Sequence, residues 1–174
     1  MVDKNASRDT LALEVLTAAH GPVMSRLWQL YWHDLSEYRE VPPRADGTFK
    51  EFDMPSFLGA EPGRSGFLLW RGDDLAGFVL VGPADDDSDR DIREFFVVRG
   101  LRRHGVGRRA AAMVLAQLPG RWMIAFQEEN PGAAAFWRRV AADAATDGVV
   151  EEPHPVPNKP WLPPDVVLRL TTSH

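Results

Sequence analysis

Arg102-Arg103-His104-Gly105-Val106-Gly107 is the stretch whose residue types and spacing suit the binding of an anion. Before it runs Glu94-Phe95-Phe96-Val97-Val98, an apolar, β-branched and aromatic segment that reads as a buried strand. After it, Arg108 to Leu118 is rich in Ala and Leu and reads as a helix closed by Pro119-Gly120. Glycines let the backbone turn tightly and approach a ligand, and the first N–H groups of a helix have no internal partner. A phosphate placed there satisfies those donors and meets the positive end of the helix dipole. Arg99, Arg102, Arg103, Arg108 and Arg109, with His104, add a basic cluster on the same segment. Standing alone, R-x-x-G-x-G also fits a plain strand-to-helix connection.

A second segment follows. Trp122-Met123-Ile124-Ala125-Phe126 reads as a strand, and Asn130-Pro131-Gly132-Ala133-Ala134-Ala135-Phe136-Trp137-Arg138-Arg139 as the start of a helix. Together the two segments resemble the GCN5-related N-acetyltransferases (GNAT superfamily). Their acetyl-CoA site has the pattern Arg/Gln-x-x-Gly-x-Gly/Ala, followed by a strand and an Asn-x-x-Ala-x-x-aromatic-aromatic helix. The resemblance covers about residues 65 to 142 and extends to the first helix.

It implies a mixed α/β fold in a single domain spanning residues 1–174. The sheet is expected to be central, twisted, mostly antiparallel and six- to seven-stranded, with a splayed strand pair and about four flanking helices. It also implies an acyltransferase that passes the acetyl group of acetyl-CoA to an amine by direct attack in a ternary complex. On this chain the main-chain groups of Phe96, Val97 and Val98 would receive the pantetheine arm. The amides of Arg103, His104, Gly105, Val106, Gly107 and Arg108 would hold the pyrophosphate, with Arg102 at the first position of the motif. Asn130 matches the asparagine that contacts the cofactor arm, and it reads equally well as a helix N-cap before Pro131.

An amine attacking a thioester must be neutral, close to the carbonyl, and matched by stabilisation of the departing thiolate. Glu94 is the candidate base, with Asp91 and Glu128 as second choices. The alternative for Glu94 is a strand-end carboxylate paired with Arg93 or Arg121. Many relatives carry Tyr where this chain has Trp137, and an indole N–H donates a hydrogen bond but is no acid at ordinary pH. Tyr31 and Tyr38, both on the first expected helix, are the chain's tyrosines; Tyr38 is taken as the candidate acid. That helix flanks the acceptor site in this fold, which makes Trp28 and Trp32 acceptor-pocket candidates beside them, although their periodicity alone marks core. A fold relative that binds acyl-CoA without transferring the acyl group is the alternative function, favoured by the missing tyrosine.

The elements that must position these groups follow from patterning. Thr10 to Thr17 alternates as a first strand, although its Ala and Leu also suit a helix, and Pro22 opens an amphipathic helix from Val23 to about Tyr38 with Leu27, Leu30, Tyr31, Leu35 and Tyr38 on its apolar side. Residues 41 to 65 form a long irregular excursion with room for short helix or strand. Phe67–Arg71 and Leu75–Val81 make a hairpin around Gly72-Asp73-Asp74. Strand Asp91–Val98, helix Gly107–Leu118, strand Arg121–Phe126 and helix Pro131–Ala142 come next, then strands near Gly148–Glu151 and Asp165–Thr171. Pro153 to Pro164 holds six prolines in twelve residues and is expected to be extended loop.

Composition narrows the classes. The chain of 174 residues is 44 % hydrophobic and 26 % charged, as a folded single domain should be. No apolar run is long enough to cross a membrane, and the N-terminal MVDKNASRDT has no apolar signal core. Cysteine is absent, which suits a cytoplasmic protein and removes thiol nucleophiles and Cys-ligated zinc. A net charge of −5 argues against general nucleic-acid binding, and the arginine cluster lacks interleaved aromatics. Asp85-Asp86-Asp87-Ser88-Asp89 reads as a solvated loop. His20, His33, His104, His154 and His174 have no metal-ligand spacing, and no Gly-x-Ser-x-Gly is present. The expected partner is a small-molecule or peptide amine, with the protein a monomer or homodimer.

Overall fold

Runs in which apolar residues alternate or fill both faces become strands, and one three-and-four stripe becomes the first helix. The computed structural model describes residues 10–59, 61–84, 87–156 and 160–173. The N-terminal segment 1–9, Asp85 and Asp86 of the acidic run, Pro157 of the proline-rich stretch and His174 lie outside the described residues. The elements are β1 (Leu11–Val15), α1 (Gly21–Leu35), β2 (Ser65–Arg71), β3 (Asp74–Gly82), β4 (Arg90–Val97), α2 (Val106–Gln117), β5 (Gly120–Phe126), α3 (Pro131–Ala144), β6 (Val149–His154) and β7 (Asp165–Thr172). Among the described residues there are three α-helices, and within the proline-interrupted excursion the chain forms the 3-10 turn Pro55–Phe57.

The seven strands form one sheet in the order β1-β2-β3-β4-β5-β7-β6. Strands β1 and β2, β5 and β7, and β6 and β7 pair antiparallel, whereas β4 and β5 pair parallel. The parallel register is short: Arg90, Asp91 and Ile92 face Trp122, Met123 and Ile124. Strand β4 continues to Val97 and β5 to Phe126. Pro153 lies inside β6 rather than in loop, a correction to the sequence expectation. β6 ends the sheet, where a residue without an N–H is tolerated. No helix among the described residues is long and apolar enough to cross a membrane.

The chain forms two compact units: the residues up to Leu80 with Glu94–Gly107, and Val81–Arg93 with the residues from Arg108 onward. In the first, Met24, Leu27 and Trp28 are buried, and Tyr31 one turn later completes their stripe. They pack with Leu68, Phe78, Leu80 and Phe96. Leu30, expected on the apolar side, is instead 51 % exposed. The stripe runs through the larger Trp28, whose ring packs 5.4 Å from Phe52 and 6.0 Å from Phe78. Helix α1 stops at Leu35, where Ser36 Oγ donates to the carbonyl of His33 at 2.6 Å, so Tyr38 falls in the following turn. In the second unit, Leu115, Trp122, Ile124, Val140 and Leu168 are buried.

One glycine decides how β3 meets β4. A Cβ on Gly77 (φ 156°) would stand 1.9 Å from the carbonyl oxygen of Phe96 and 2.8 Å from its carbon. The obstacle is backbone, which cannot swing aside as a side-chain tip would. Next to it, the Val98 N–H donates to the Ala76 carbonyl at 2.9 Å. Gly77→Ala should therefore lower the unfolding free energy by about 2–4 kcal/mol, as overpacking and backbone strain do elsewhere. Urea unfolding checks it; wild-type stability in the variant would show that the strands separate freely.

Candidate active site

The segment after β4 makes two reversals before α2 begins. Arg102 is extended (φ −71°, ψ 161°), Arg103 is left-handed at φ 64°, and Gly105 is left-handed at φ 76°. For Gly105 that conformation is free, and a Cβ there would meet nothing within 4 Å. For Arg103 it costs about 1–2 kcal/mol, which the surroundings must offset. They do so through Arg102. Its Nε donates to the Val97 carbonyl at 2.7 Å, its Nη2 donates to Asp34 Oδ2, and its guanidinium lies 5.7 Å from the Phe96 ring. Arg99 joins the same carboxylate, Nε to Asp34 Oδ1 at 2.8 Å, and reaches Glu37 Oε2 at 3.0 Å. Arg102 thus fastens the turn to α1. Arg103, His104 and Gly105 are exposed, Val106 is buried, and no acidic residue stands in the first turn of α2.

Among the main-chain groups expected to meet a pantetheine arm, the Val97 carbonyl accepts from Arg102 and the Val98 N–H donates to the Ala76 carbonyl. Phe96 and Val97 are buried and Val98 is half-buried. Two residues before Phe96, Glu94 is half-buried and its Oε2 accepts a hydrogen bond from the hydroxyl of Tyr31. The arginines expected beside Glu94 have carboxylates of their own: Arg93 Nε lies 3.2 Å from Asp91 Oδ2, and Arg121 Nη2 lies 3.0 Å from Asp89 Oδ1. Burial first, then the charge and hydrogen bond of Glu94, push the Tyr31 hydroxyl well above the ordinary tyrosine range. Tyr38, in the turn after α1, is half-buried.

The loop after α1 is drawn onto the same aromatic face. Gln29 holds it at both ends of its amide, donating to the Lys50 carbonyl at 2.9 Å and accepting from the Phe49 N–H at 2.6 Å. Phe52 then packs on Trp28, and Lys50 Nζ sits 4.0 Å from the centroid of Trp32. Trp28 is therefore covered by this chain's own residues, and Trp32 is half-buried under Lys50. Neither Gln29 nor Asp34 carries a local sequence signal, since their partners lie 20 or more residues away.

In the second unit, Asn130 caps α3: its Oδ1 accepts from the Ala133 N–H at 3.0 Å, with Pro131 in the first turn. Trp137 is 6 % exposed and packs edge-on against Phe136, centroids 4.7 Å apart. Arg108 pairs with Asp143 at 3.1 Å. Glu128 is bound by Arg138, which also holds Glu151, and those hydrogen bonds keep both carboxyls below the usual carboxylate range. Glu128 and Asp91 thus serve as ion-pair partners. Among the described residues no group of three or more His, Cys, Asp and Glu could hold a metal ion.

A seven-stranded, mostly antiparallel sheet with a glycine turn opening the helix after β4 defines a fold of the GNAT type. The chain belongs to the Acetyltransferase (GNAT) family, whose model matches residues 24–141, more than half of the sequence. Among solved structures it is similar to an acetyltransferase from Thermus thermophilus, at 19 % identity and a TM-score of 0.69 over 94 % of this chain and 98 % of that one. It is also similar to the ribosomal-protein-S18-alanine N-acetyltransferase from Escherichia coli, at 15 % identity and a TM-score of 0.57 over 95 % and 96 % of the two chains. A third is the aminoglycoside acetyltransferase AAC(6')-Ib in complex with coenzyme A, at 13 % identity and 0.62 over 93 % and 95 %. Among curated proteins, none matches this chain by sequence.

The Asp34 clamp has a measurable consequence. Arg99 is more than half exposed and adds little, whereas the side chain of Asp34 is only 16 % exposed and Arg102 is held at a second point. Asp34→Ala should cost about 1–3 kcal/mol of stability, the usual scale for a charged hydrogen bond lost from a half-buried site. Chemical denaturation reads it, and a change below about 0.5 kcal/mol would show that the clamp stabilises nothing.

Proposed function

We propose that this chain transfers the acetyl group of acetyl-CoA to an amine carried by a small molecule or a peptide, by direct attack in a ternary complex. Residues 1–174 would act as one acetyltransferase domain, in the cytoplasm, as a monomer or homodimer. The observation that carries the proposal is the turn into α2. Arg103 and Gly105 are both left-handed, open space lies over Gly105, and the first helical turn holds no acid. Such a turn suits a pyrophosphate on the amides of Arg103 to Arg108, because unpaired N–H groups and the helix dipole favour the anion. Support also comes from the family match, which runs through both units. Two of the three relatives above are named for transfer to quite different amines, an aminoglycoside and the alanine of a ribosomal protein.

In this proposal the pantetheine arm runs along Phe96, Val97 and Val98, sharing the two lone pairs of the Val97 carbonyl with Arg102. Asn130 and Trp137 join the cofactor side by the family pattern. The bound thioester supplies the acyl group. Glu94 takes a proton from the amine, directly or through one water, as the C–N bond forms and the C–S bond breaks. The thiolate takes its proton from Tyr38 or from solvent, because Trp137 is an indole and Tyr31 holds its proton tightly. Arg102 and Asn130 act chiefly by position, one fastening the turn and the other capping α3.

Gly105→Glu should abolish acetyl-CoA binding while the protein stays folded, by filling the space over the turn and repelling phosphate; calorimetry decides, and unchanged affinity would refute the site. A screen of amine acceptors for release of free CoA should find turnover, and Glu94→Gln should then lower kcat by about 10²-fold with little effect on acetyl-CoA affinity. Normal kcat at every pH in that variant would leave Glu94 a structural carboxylate. Binding without turnover for any amine would favour a non-catalytic acyl-CoA-binding protein, the reading that Trp137 in place of a tyrosine favours.

A further inference from the structure

Tyr31 meets Glu94 because four rings leave it no other place. Its centroid lies 5.1 Å from Trp28, 5.7 Å from Trp32, 5.8 Å from Phe78 and 6.1 Å from Phe96. Phe78 and Phe96 also contact each other at 5.7 Å, and Phe52 backs Trp28. A side chain with two torsions, packed on so many aromatic faces, delivers its hydroxyl to one point. That point is Oε2 of Glu94. A hydrogen bond donated to a carboxylate favours its charged form and fixes its plane.

We propose that Tyr31 is a positioning residue for acyl transfer: its hydroxyl holds the Glu94 carboxylate ionised and in one orientation, aimed by the aromatic clamp. The inference rests on the role proposed above for Glu94. Tyr31 donates to one of the two carboxylate oxygens, Oε2, and a carboxylate has about four lone-pair sites in all. The donor keeps its own proton, since burial and the neighbouring charge raise it well above the ordinary tyrosine range. It therefore works as a fixed donor across the neutral range and not as the acid for the leaving thiolate. Tyr38, the sequence candidate for that acid, has no part in this pair.

The test compares wild type, Tyr31→Phe, Glu94→Gln and the double variant. Phe preserves the ring and its packing, and thermal midpoints confirm the fold. Losing the donor disfavours ionised Glu94, so its pKa rises and the acid limb of kcat/KM should move up by about one pH unit. kcat should fall about tenfold with acetyl-CoA affinity unchanged, and the substitution should have no further effect in the Glu94→Gln background. An unmoved acid limb, or an equal loss in both backgrounds, would reduce Tyr31 to packing. A second readout does not need turnover: carbon-13 NMR of labelled glutamate carboxyls should show the Glu94 midpoint raised in Tyr31→Phe, and an unchanged midpoint overturns the inference. If wild type acylates no amine while that midpoint still moves, the proposed function fails and the Tyr31–Glu94 coupling stands.

Discussion

Much of the first unit hangs on a point where β3 carries no side chain. With a Cβ at Gly77 excluded by the Phe96 carbonyl at 1.9 Å, the two strands meet at a distance that only glycine allows. That contact sets the depth of Phe96, and Phe96 closes the aromatic clamp around Tyr31. Tyr31 in turn reaches Glu94, two residues earlier on the same strand as Phe96. A backbone constraint in the sheet is thereby converted into the orientation of a carboxylate. Side-chain packing at this density transmits such constraints because it has few alternative arrangements.

The arginine cluster divides its work. Arg99 and Arg102 are engaged by Asp34, and Arg108 by Asp143, while Arg103 stands exposed at the left-handed position of the turn. Arg102 illustrates why a motif position does not declare a role. Its planar guanidinium can satisfy a carboxylate, a main-chain carbonyl and an aromatic face together, which no lysine could match. Its bonds fasten a turn in which Arg103 and Gly105 are both left-handed.

The legible features in the sequence were those set by local patterning. Every strand and helix core, the glycine turn and the Asn130-Pro131 helix start announce themselves through period, punctuation and capping chemistry. What was hidden depends on distant partners. Leu30 and Tyr31 are both compatible with the stripe that begins at Leu27, and only the Trp28 contacts with Phe52 and Phe78 decide that Tyr31 faces inward while Leu30 is exposed. Likewise, the meeting of Tyr31 with Glu94 joins residues 63 positions apart, which no local pattern announces. Pro153 sits within a strand because β6 is at the edge, a property of sheet order that no local window contains.

Direct transfer is the step on which the proposed function turns: the chain has no cysteine to carry an acetyl group, and Glu94 is the proposed base. Mixing excess protein with acetyl-CoA, with and without a competent amine, and following free CoA together with the intact mass of the protein, tests it most directly. Free CoA should appear only when the amine is present, in one-to-one ratio with acetylated amine, and the protein mass should not change. Release of CoA before amine is added, with an acetyl group gained by the protein on the same timescale, would contradict direct attack.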